Sequence, residues 1–392
     1  MKLFVFVTII SLCITTIVMG DEAHIFFNAR INGQLVKLAF DTGASGPVLF
    51  RKTARRLNLK VQEPRSDVKA DPGAVKIALT EKCWLRFEDG GVESHIRFAV
   101  IDLPEYINFD CEGILSWSGL KHTIMEIYPS SRDIKIHNTL TIEKSEWQCL
   151  DIRTDLNVLA IKISNEDPTQ DCLLVDTGQS SGLSVRKELW QQWFGDTAEQ
   201  NTTYLAAYTP GVGLVIDKEK WVKEINFGGL RFLEIPVKTG VEANQALMKI
   251  GIDGIVGIEA LSCYSWIVDG PAGKIYLKKT DLMRTPEKYD YNRLGAVFVP
   301  KDIQTSDSLI AHVIKGGPAY SAGIRNGDVL LRIGGLDATK WRTNPDIMPL
   351  SRFWEMPAGN KVYLLLMRDG KKKEIIPTAL NKFAFNIFCS AN

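Results

Sequence analysis

An internal repeat constrains this chain more than any other feature of its sequence. The first copy holds residues 37–45 (KLAFDTGAS) and 112–116 (EGILS), and the second holds residues 172–180 (CLLVDTGQS) and 253–257 (DGIVG). Asp41 precedes Gly113 by 72 residues, and Asp176 precedes Gly254 by 78. Because the order and spacing of these elements recur, we expect two related domains in tandem.

The stretches between these landmarks are short, alternate between apolar and polar residues, and are separated by Gly, Pro and Asp. This pattern is typical of antiparallel β structure. A chain of 392 residues is also too long for one ordinary core. We therefore predict a mainly β fold with lobes at residues 21–147 and 148–280, a polar linker at 281–290 and an α+β domain at 291–380.

Composition and net charge indicate which kinds of binding partner this protein would not recognise through electrostatic attraction. The chain is 45% hydrophobic with a formal net charge of +1, which gives no electrostatic attraction to nucleic acid. The histidines and cysteines show no spacing typical of a metal site, so we expect neither a metal nor a cofactor. The six cysteines beyond residue 20 permit disulfides but do not establish any pairing.

The N-terminus is typical of a signal peptide. Lys2 precedes an apolar run over residues 3–19, and Gly20 lies where cleavage would occur. We predict a signal peptide at residues 1–20 and export to the periplasm or the extracellular space; the alternative is an uncleaved membrane anchor. No other segment is predicted to span a bilayer.

The two Asp-Thr-Gly motifs contain the candidate catalytic residues. A single copy is as well explained by a turn with a solvated carboxylate, but two copies in repeated units favour a pair. Two carboxyl groups that share one proton can hydrolyse a peptide bond, one acting as base on water and the other as acid. Asp41 and Asp176 are therefore the predicted catalytic residues. The residues predicted to support them are Thr42, Gly43, Ser45, Thr177, Gly178 and Ser180.

On these motifs, residues 23–279 resemble the retropepsin and pepsin superfamily. The resemblance implies a pseudo-twofold protease in which Asp41 and Asp176 form the catalytic dyad. It also implies that an apolar-apolar-Gly segment lies beneath each aspartate loop. Residues 255–257 match that segment, whereas residues 114–116 end in Ser116 where Gly is usual.

The resemblance further implies a flap, a hairpin that covers the substrate. Residues with suitable turn chemistry follow each motif by about thirty positions, and we predict that the flap tips include Pro72, Gly73, Tyr208 and Gly211. The Tyr208 hydroxyl would bind substrate or water. The alternative is a tyrosine that only packs on a hairpin.

The residue that follows each Asp-Thr-Gly motif affects the pH at which activity is expected to be highest. Pepsin-like enzymes usually have a hydroxyl there that donates to the carboxylate, but this chain has Ala44 and Gln179. Fewer hydrogen bonds to the charged form favour its protonation. We therefore expect best activity at weakly acidic to neutral pH.

The C-terminal region resembles a PDZ domain of the type found in bacterial proteases, on residues 316–329 (GGPAYSAGIRNGDV). The resemblance implies a carboxylate-binding loop at Leu294, Gly295, Ala296 and Val297, which would capture peptide C-termini. The alternative is a rigid packing module that binds nothing.

These features together predict an aspartic endopeptidase that acts on polypeptides and recruits them through a PDZ domain. A monomer should suffice, because one chain supplies both aspartates. The alternative is a catalytically inactive peptide-binding or scaffold protein of the same fold, suggested by Ser116 and Gln179.

Overall fold

The computed structural model describes much of the chain between residues 24 and 389. The described residues are 24–63, 78–87, 93–102, 110–140, 142–163, 172–179, 181–195, 202–209, 213–241, 245–280, 292–302, 305–344, 346–347, 350–353, 357–379 and 388–389. The predicted signal peptide and the predicted linker at 281–290 lie outside them. No helix among the described residues is both long and apolar enough to cross a lipid bilayer.

The first copy of the repeat is almost entirely β structure. Its elements are β1 (Phe26–Ile31), β2 (Gln34–Asp41), β3 (Val48–Phe50), α1 (Arg51–Arg56), β4 (Val61–Gln62), β5 (Ala78–Thr80), β6 (Cys83–Phe87), β7 (Glu93–Ile96), β8 (Ala99–Ile101), β9 (Gly113–Ser116), α2 (Trp117–Leu120), β10 (Ile124–Tyr128) and β11 (Asp133–His137). Strands β1 to β9 form one sheet in the order β4-β5-β8-β3-β9-β2-β1-β6-β7.

The second copy runs through the same kinds of element. They are β12 (Gln148–Asp151), β13 (Ala160–Lys162), β14 (Cys172–Asp176), β15 (Leu183–Val185), α3 (Lys187–Phe194), β16 (Thr202–Thr209), β17 (Gly213–Phe227), β18 (Leu230–Thr239), α4 (Gln245–Lys249), β19 (Ile252–Gly257), α5 (Ile258–Leu261), β20 (Tyr264–Asp269) and β21 (Lys274–Lys279). The fold is mainly β, as the alternating sequence pattern predicts.

The C-terminal region forms a sheet with one short helix. Its elements are β22 (Ala296–Pro300), β23 (Leu309–Val313), α6 (Pro318–Ser321), β24 (Val329–Ile333), β25 (Leu336–Asp337), β26 (Leu364–Arg368), β27 (Lys371–Ile375) and β28 (Phe388–Cys389). The main sheet order is β22-β23-β24-β26-β27, and β25 pairs with β24. Strand β28 lies outside this sheet and pairs in parallel with β17 of the second copy. A 3-10 helix spans Leu350–Phe353.

Turn residues in the C-terminal region take the backbone conformations that their sequence predicts. Gly334 and Gly335 have φ of 55° and 89°, and Asp369 and Gly370 have φ of 48° and 73°. Two consecutive positive φ values suit a tight hairpin between twisted strands. In a sequence, Gly-Gly and Asp-Gly pairs predict hairpin turns of this kind, and both pairs adopt the φ values that such turns need.

The chain divides into two compact units. The first consists of Met1–Ser184, Tyr208–Gly213 and Val241–Leu282, and the second of Val185–Ala207, Leu214–Gly240 and Met283–Asn392. Both Asp-Thr-Gly motifs belong to the first unit. The base of the β16–β17 hairpin belongs to the second unit together with the C-terminal region.

The strand that precedes each aspartate has a parallel partner in the same register. In the first copy β2 pairs with β9, which places Asp41 opposite Ser116; in the second copy β14 pairs with β19, which places Asp176 opposite Gly257. The five residues of β14 are all buried. The repeat in sequence therefore corresponds to a repeat in strand pairing around each aspartate.

A sheet in the first unit joins strands from both copies in the order β11-β10-β20-β21-β12. Strands β10 and β20 pair antiparallel, with Met125 opposite Val268 and Ile127 opposite Trp266. Ser116 and Gly257 are 141 residues apart, and the same offset converts the first of these pairs into the second. The pairing is therefore unchanged when the two copies are exchanged, which is the register that a twofold relation requires.

One apolar cluster in the first unit draws residues from both copies. Its members are Ala39, Ala44, Val48, Phe50, Ala99, Ile101, Cys111, Ile114, Val158, Ala160, Cys172, Leu174, Val241, Leu247, Ile252 and Ile255. Because apolar burial is the main favourable term in folding, this shared core holds the strands that carry the two aspartates against one another.

The second unit contains a buried carboxyl group, that of Glu219 on β17. Glu219 is 3% exposed and lies opposite Lys238 on β18. Burial raises the pKa of Glu219 to about 7; Lys238 lowers it and Asp217 raises it by smaller amounts. In the folded protein this group therefore stays protonated to a higher pH than an ordinary glutamate.

Glu219→Gln should flatten the pH dependence of stability. Between the ordinary value of 4.5 and about 7 the folded state binds more protons than the unfolded state, so the free energy of unfolding of the wild type falls as pH rises through this window. Above pH 7 the cost of ionising this buried carboxyl group lowers the free energy of unfolding by up to about 3 kcal/mol, and glutamine removes that cost. Urea unfolding at about pH 5 and about pH 8 measures how the free energy of unfolding of each protein depends on pH. Glu224→Gln, which removes a half-buried partner of Arg231, is the control; equal pH slopes in wild type and Glu219→Gln would contradict the assignment.

Candidate active site

The two aspartates lie at the carboxyl ends of β2 and β14. β14 is buried throughout and β2 over its last four residues, and each strand then turns through Thr and Gly. Asp41 and Asp176 are each 2% exposed. Two carboxyl groups are thus held in the interior of the first unit, where burial disfavours two simultaneous charges.

The threonines of the two motifs bond reciprocally across 135 residues. Thr42 N donates to Thr177 Oγ1 at 3.1 Å, and Thr177 N donates to Thr42 Oγ1 at 3.0 Å. Thr42 Oγ1 in turn donates to Val175 O at 2.5 Å, and Thr177 Oγ1 donates to Phe40 O at 2.8 Å. Both side chains are fully buried. These four bonds fasten each loop to the strand that carries the other aspartate.

The glycines of the motifs approach the opposite carboxyl groups. A Cβ placed on Gly43 would lie 2.9 Å from both carboxylate oxygens of Asp176. A Cβ placed on Gly178 would lie 2.5 and 2.8 Å from those of Asp41. Neither glycine has a positive φ, so glycine is needed here for space rather than for backbone conformation. Each carboxyl group therefore lies against the other loop.

Backbone N–H groups orient the carboxyl groups. Asp41 Oδ1 accepts from Gly43 N and from Ala44 N, both at 2.9 Å. Asp176 Oδ1 accepts from Gly178 N at 2.9 Å. Since amide N–H groups favour a charged acceptor, one oxygen of each aspartate is fixed in place.

The structure also describes two further residues of the aspartate loops, Ser45 and Gln179. Ser45 is buried, at 9% exposure, and Ser180 lies outside the described residues. Gln179 turns its amide away from Asp176: Nε2 donates to Gly182 O at 3.3 Å, and Oε1 accepts from Ser184 Oγ at 2.9 Å. The expected shift of activity toward neutral pH remains a prediction.

The serine that departs from the family pattern has a structural explanation. A Cβ on Gly257 would lie 2.8 Å from Gln179 Nε2 and closer still to Ser181 O. In the first copy the residue at the Gln179 position is Ala44, which has no amide, and Ser116 is fully buried with its Oγ 2.8 Å from Ser118 Oγ. A side chain at position 257 would thus meet backbone oxygen as well as the Gln179 amide, whereas the first copy accommodates Ser116.

Gly257→Ala should destabilise the protein by about 1–3 kcal/mol, because the added methyl group overpacks a site bounded by backbone. Ser116→Ala, at the same register in the first copy, should cost about 1 kcal/mol or less, the value of one hydrogen bond. Urea unfolding of the two variants measures the difference. A larger loss from Ser116→Ala would contradict this account of the two loops.

Most of the predicted flap residues cannot be placed. Pro72, Gly73 and Gly211 lie outside the described residues. Tyr208 lies in β16, where only its backbone is described. Tyr208–Gly213 groups with the first unit, which also contains both aspartates.

The sequence did not indicate the role of Leu159. This fully buried residue donates from its N to Thr42 O at 2.9 Å and accepts at its O from Val175 N at 2.8 Å. Its backbone thus bonds to the first aspartate loop and to the strand of the second. The only sequence signal is the apolar run at residues 158–161, which does not distinguish this strand from any other.

The four residues of the predicted carboxylate-binding loop lie at the start of β22 and are all buried. Ala319 N donates to Leu294 O and Ile314 N donates to Gly295 O, both at 2.9 Å. Gly295 has φ of +71°, a conformation that favours glycine. The loop is therefore bound through its carbonyl groups to helix α6 and to the residue that follows β23.

A comparison with known protein families finds a match within the first copy of the repeat. A family model described as aspartyl protease matches residues 27–113, which run from β1 to the first residue of β9. The match contains Asp41 but not Asp176. No curated protein matches the chain. The similarity supports a hydrolase of the peptidase class, with polypeptides as the corresponding substrates.

Proposed function

We propose that the first unit is an aspartic endopeptidase, built as a pseudo-twofold pair of lobes, whose catalytic dyad is Asp41 and Asp176. The single observation that carries the proposal is the reciprocal bonding of Thr42 and Thr177, which binds the two aspartate loops to each other. The family match supports the chemistry of the first loop, and the equivalent strand register extends it to the second.

In the proposed reaction the two carboxyl groups share one proton. The ionised aspartate takes a proton from water, whose oxygen bonds to the carbonyl carbon, while the protonated aspartate donates to the carbonyl oxygen. The tetrahedral intermediate then breaks its C–N bond as a proton passes to the leaving nitrogen. The fixed N–H groups at Asp41 and Asp176 keep both acids oriented through this cycle.

The test is cleavage of a peptide library by the wild-type chain, with new termini identified by mass spectrometry between about pH 3 and about pH 8. We expect internal cleavage that a pepstatin-like inhibitor reduces. Failure to generate new termini anywhere in this range would contradict the proposal.

The inactive alternative loses the support of its two sequence departures. Ser116 fits within the buried packing of the first copy, and Gln179 bonds to Gly182 and Ser184 rather than disturbing Asp176. Neither departure requires loss of catalysis.

We further propose that the C-terminal region is a PDZ domain that recruits polypeptides. β22 is an edge strand among the described strands of its sheet, which suits addition of an extended peptide. Pro318 begins α6 and Gly323, with φ of +104°, follows it, as the Gly-Gly-Pro-Ala sequence would place them. Binding of peptides with free and amidated C-termini distinguishes a carboxylate-binding groove from a packing module.

A further inference from the structure

A cavity of about 380 Å³ lies in the first copy of the repeat, and the proposed protease chemistry does not use it. Three basic and two acidic residues line this cavity, together with one threonine and one cysteine. They belong to β2, to α1 and to the segment that leads into β9. Lys37, on β2, lies four residues before Asp41, which is about 13 Å along the strand, so the cavity is separate from the proposed dyad.

The backbone around the cavity is held by hydrogen bonds. Glu112 N donates to Lys37 O at 2.8 Å, and Lys37 N donates to Glu112 Oε2 at 3.1 Å. Phe50 N, immediately before α1, donates to Glu112 O at 3.2 Å. A ligand would therefore meet lining residues whose backbone the fold already holds in place, which favours binding.

Two of the three cations that line the cavity have acidic partners. Lys37 Nζ forms an ion pair with Asp110. Arg56 Nη2 pairs with Glu112 Oε1 at 2.5 Å and also donates to Leu35 O at 3.1 Å. The lining carries three positive and two negative charges, so its net charge is +1.

The third cation, Lys52, is exposed and has no ion pair or hydrogen bond among the described residues. Lys52 and Arg56 are four residues apart on α1, so their side chains lie on the same face of the helix. Thr53, between them in sequence, is 1% exposed, and its Oγ1 has no hydrogen-bond partner in the part of the chain that the structure describes. The cavity therefore offers more hydrogen-bond donors than the protein itself uses.

The cysteine of the lining adds no negative charge. Cys111 is 4% exposed, and burial raises the pKa of its thiol to about 11. A neutral thiol behaves as a small apolar group, and the alkyl stems of lysine and arginine side chains also cover apolar surface. The cavity thus combines a net positive charge with apolar wall.

The second copy of the repeat lacks this set of residues. Residues 37–56 align with residues 172–191 without a gap. Three of the lining residues are replaced in the second copy, where Lys37, Thr53 and Arg56 correspond to Cys172, Glu188 and Gln191. Two cations are lost and a carboxyl group is gained, yet β14 pairs with β19 as β2 pairs with β9. The strand pairing therefore does not require the basic residues, which points to a ligand.

We propose that this cavity binds a small organic monocarboxylate with an apolar body. A single negative charge balances the net charge of the lining. Lys52 Nζ and the guanidinium N–H groups of Arg56 that Glu112 and Leu35 do not engage donate to the carboxylate. A phosphate dianion would bring excess negative charge close to Asp110 and Glu112.

The test is calorimetric titration of the full chain with phenylacetate and with its neutral amide, phenylacetamide. Phenylacetate should bind at least about tenfold more tightly, the factor that one charge-assisted hydrogen bond supplies. Inorganic phosphate should bind more weakly than phenylacetate. Equal binding of phenylacetate and phenylacetamide, no binding of phenylacetate, or tighter binding of phosphate would overturn the inference.

Two variants on the same helix separate the cavity from general electrostatic attraction. Lys52→Gln should weaken phenylacetate binding at least about tenfold. Arg55→Gln removes an equally exposed cation of α1 that does not line the cavity, and it should bind as the wild type does. Equal losses in both variants would show non-specific attraction and contradict the assignment.

A third variant should act in the opposite direction. Asp110→Asn releases Lys37 from its ion pair and raises the net charge of the lining to +2, so phenylacetate should bind about two to five times more tightly. Weaker binding by this variant would contradict the proposed role of the lining charge.

Amide hydrogen exchange locates the bound carboxylate and distinguishes this cavity from the predicted carboxylate-binding loop. Phenylacetate should slow exchange at residues 51–56 and 111–114 in the wild type, and this effect should be absent in Lys52→Gln. Protection confined to residues 294–299 would place the ligand on the C-terminal region and exclude the cavity. None of these measurements depends on peptide cleavage, so the site and the proposed protease succeed or fail separately.

Discussion

Asp41→Asn and Asp176→Asn are each expected to abolish peptide cleavage, with kcat/KM reduced at least about 10³-fold to 10⁴-fold. An amide can neither take a proton from water nor hold the shared proton. Asparagine retains an Oδ1 acceptor for Gly43 N or Gly178 N, so the loops should keep their structure. The measurement is cleavage of a library-derived peptide, with thermal unfolding as a check on folding.

A surface aspartate provides the control for these variants. Asp133, at the exposed start of β11, accepts from Ile134 N, and Asp133→Asn should leave cleavage unchanged. Retention of activity by either dyad variant, with the other abolished, would show that one aspartate alone suffices and would exclude a shared-proton mechanism.

Gly43→Ala and Gly178→Ala should each reduce cleavage by about 10²-fold or more. The new methyl group would lie 2.5 to 2.9 Å from the opposite carboxylate oxygens, so that carboxyl group must move. A displacement of about 1 Å at a catalytic group costs on the order of 10²-fold in rate. Because the added atom meets a side chain, the main effect should fall on catalysis rather than on folding.

Gly46→Ala is the matched control, since it lies in the same loop and a Cβ there meets nothing within 4 Å. Its activity should equal that of the wild type. If Gly43→Ala or Gly178→Ala also retained full activity, the carboxyl groups could not lie against the opposite loops as the structure describes.

Local chemistry explains why much of this protein could be predicted from its sequence. The alternating patterns predicted β structure, and the Gly-Gly and Asp-Gly pairs predicted hairpins that the φ angles confirm. The two Asp-Thr-Gly motifs identified the candidate residues because turn chemistry and repetition are properties of short segments. The flap tips stay a prediction, since most of their residues lie outside the described ranges.

Contacts between distant segments were decided only by the tertiary structure. Leu159 bonds to the loop of one aspartate and to the strand of the other, yet its sequence is that of any buried strand. Ser116 and Gly257 occupy equivalent registers, and only the structure shows that a side chain at 257 would meet Ser181 O and Gln179, whereas Ser116 is accommodated. Asn292 resembles any loop asparagine until its bonds to Tyr204 and Ala296 are known.

By itself, then, the amino-acid sequence determined which residues repeat, that the fold is mainly β, and which two carboxyl groups are candidates for catalysis. The tertiary structure decided that Thr42 and Thr177 bond to each other and that each glycine lies against the opposite aspartate. The physical reason is range: strand and turn preferences act over a few residues, whereas these hydrogen bonds and close approaches join positions about 135 residues apart and depend on how the whole core packs.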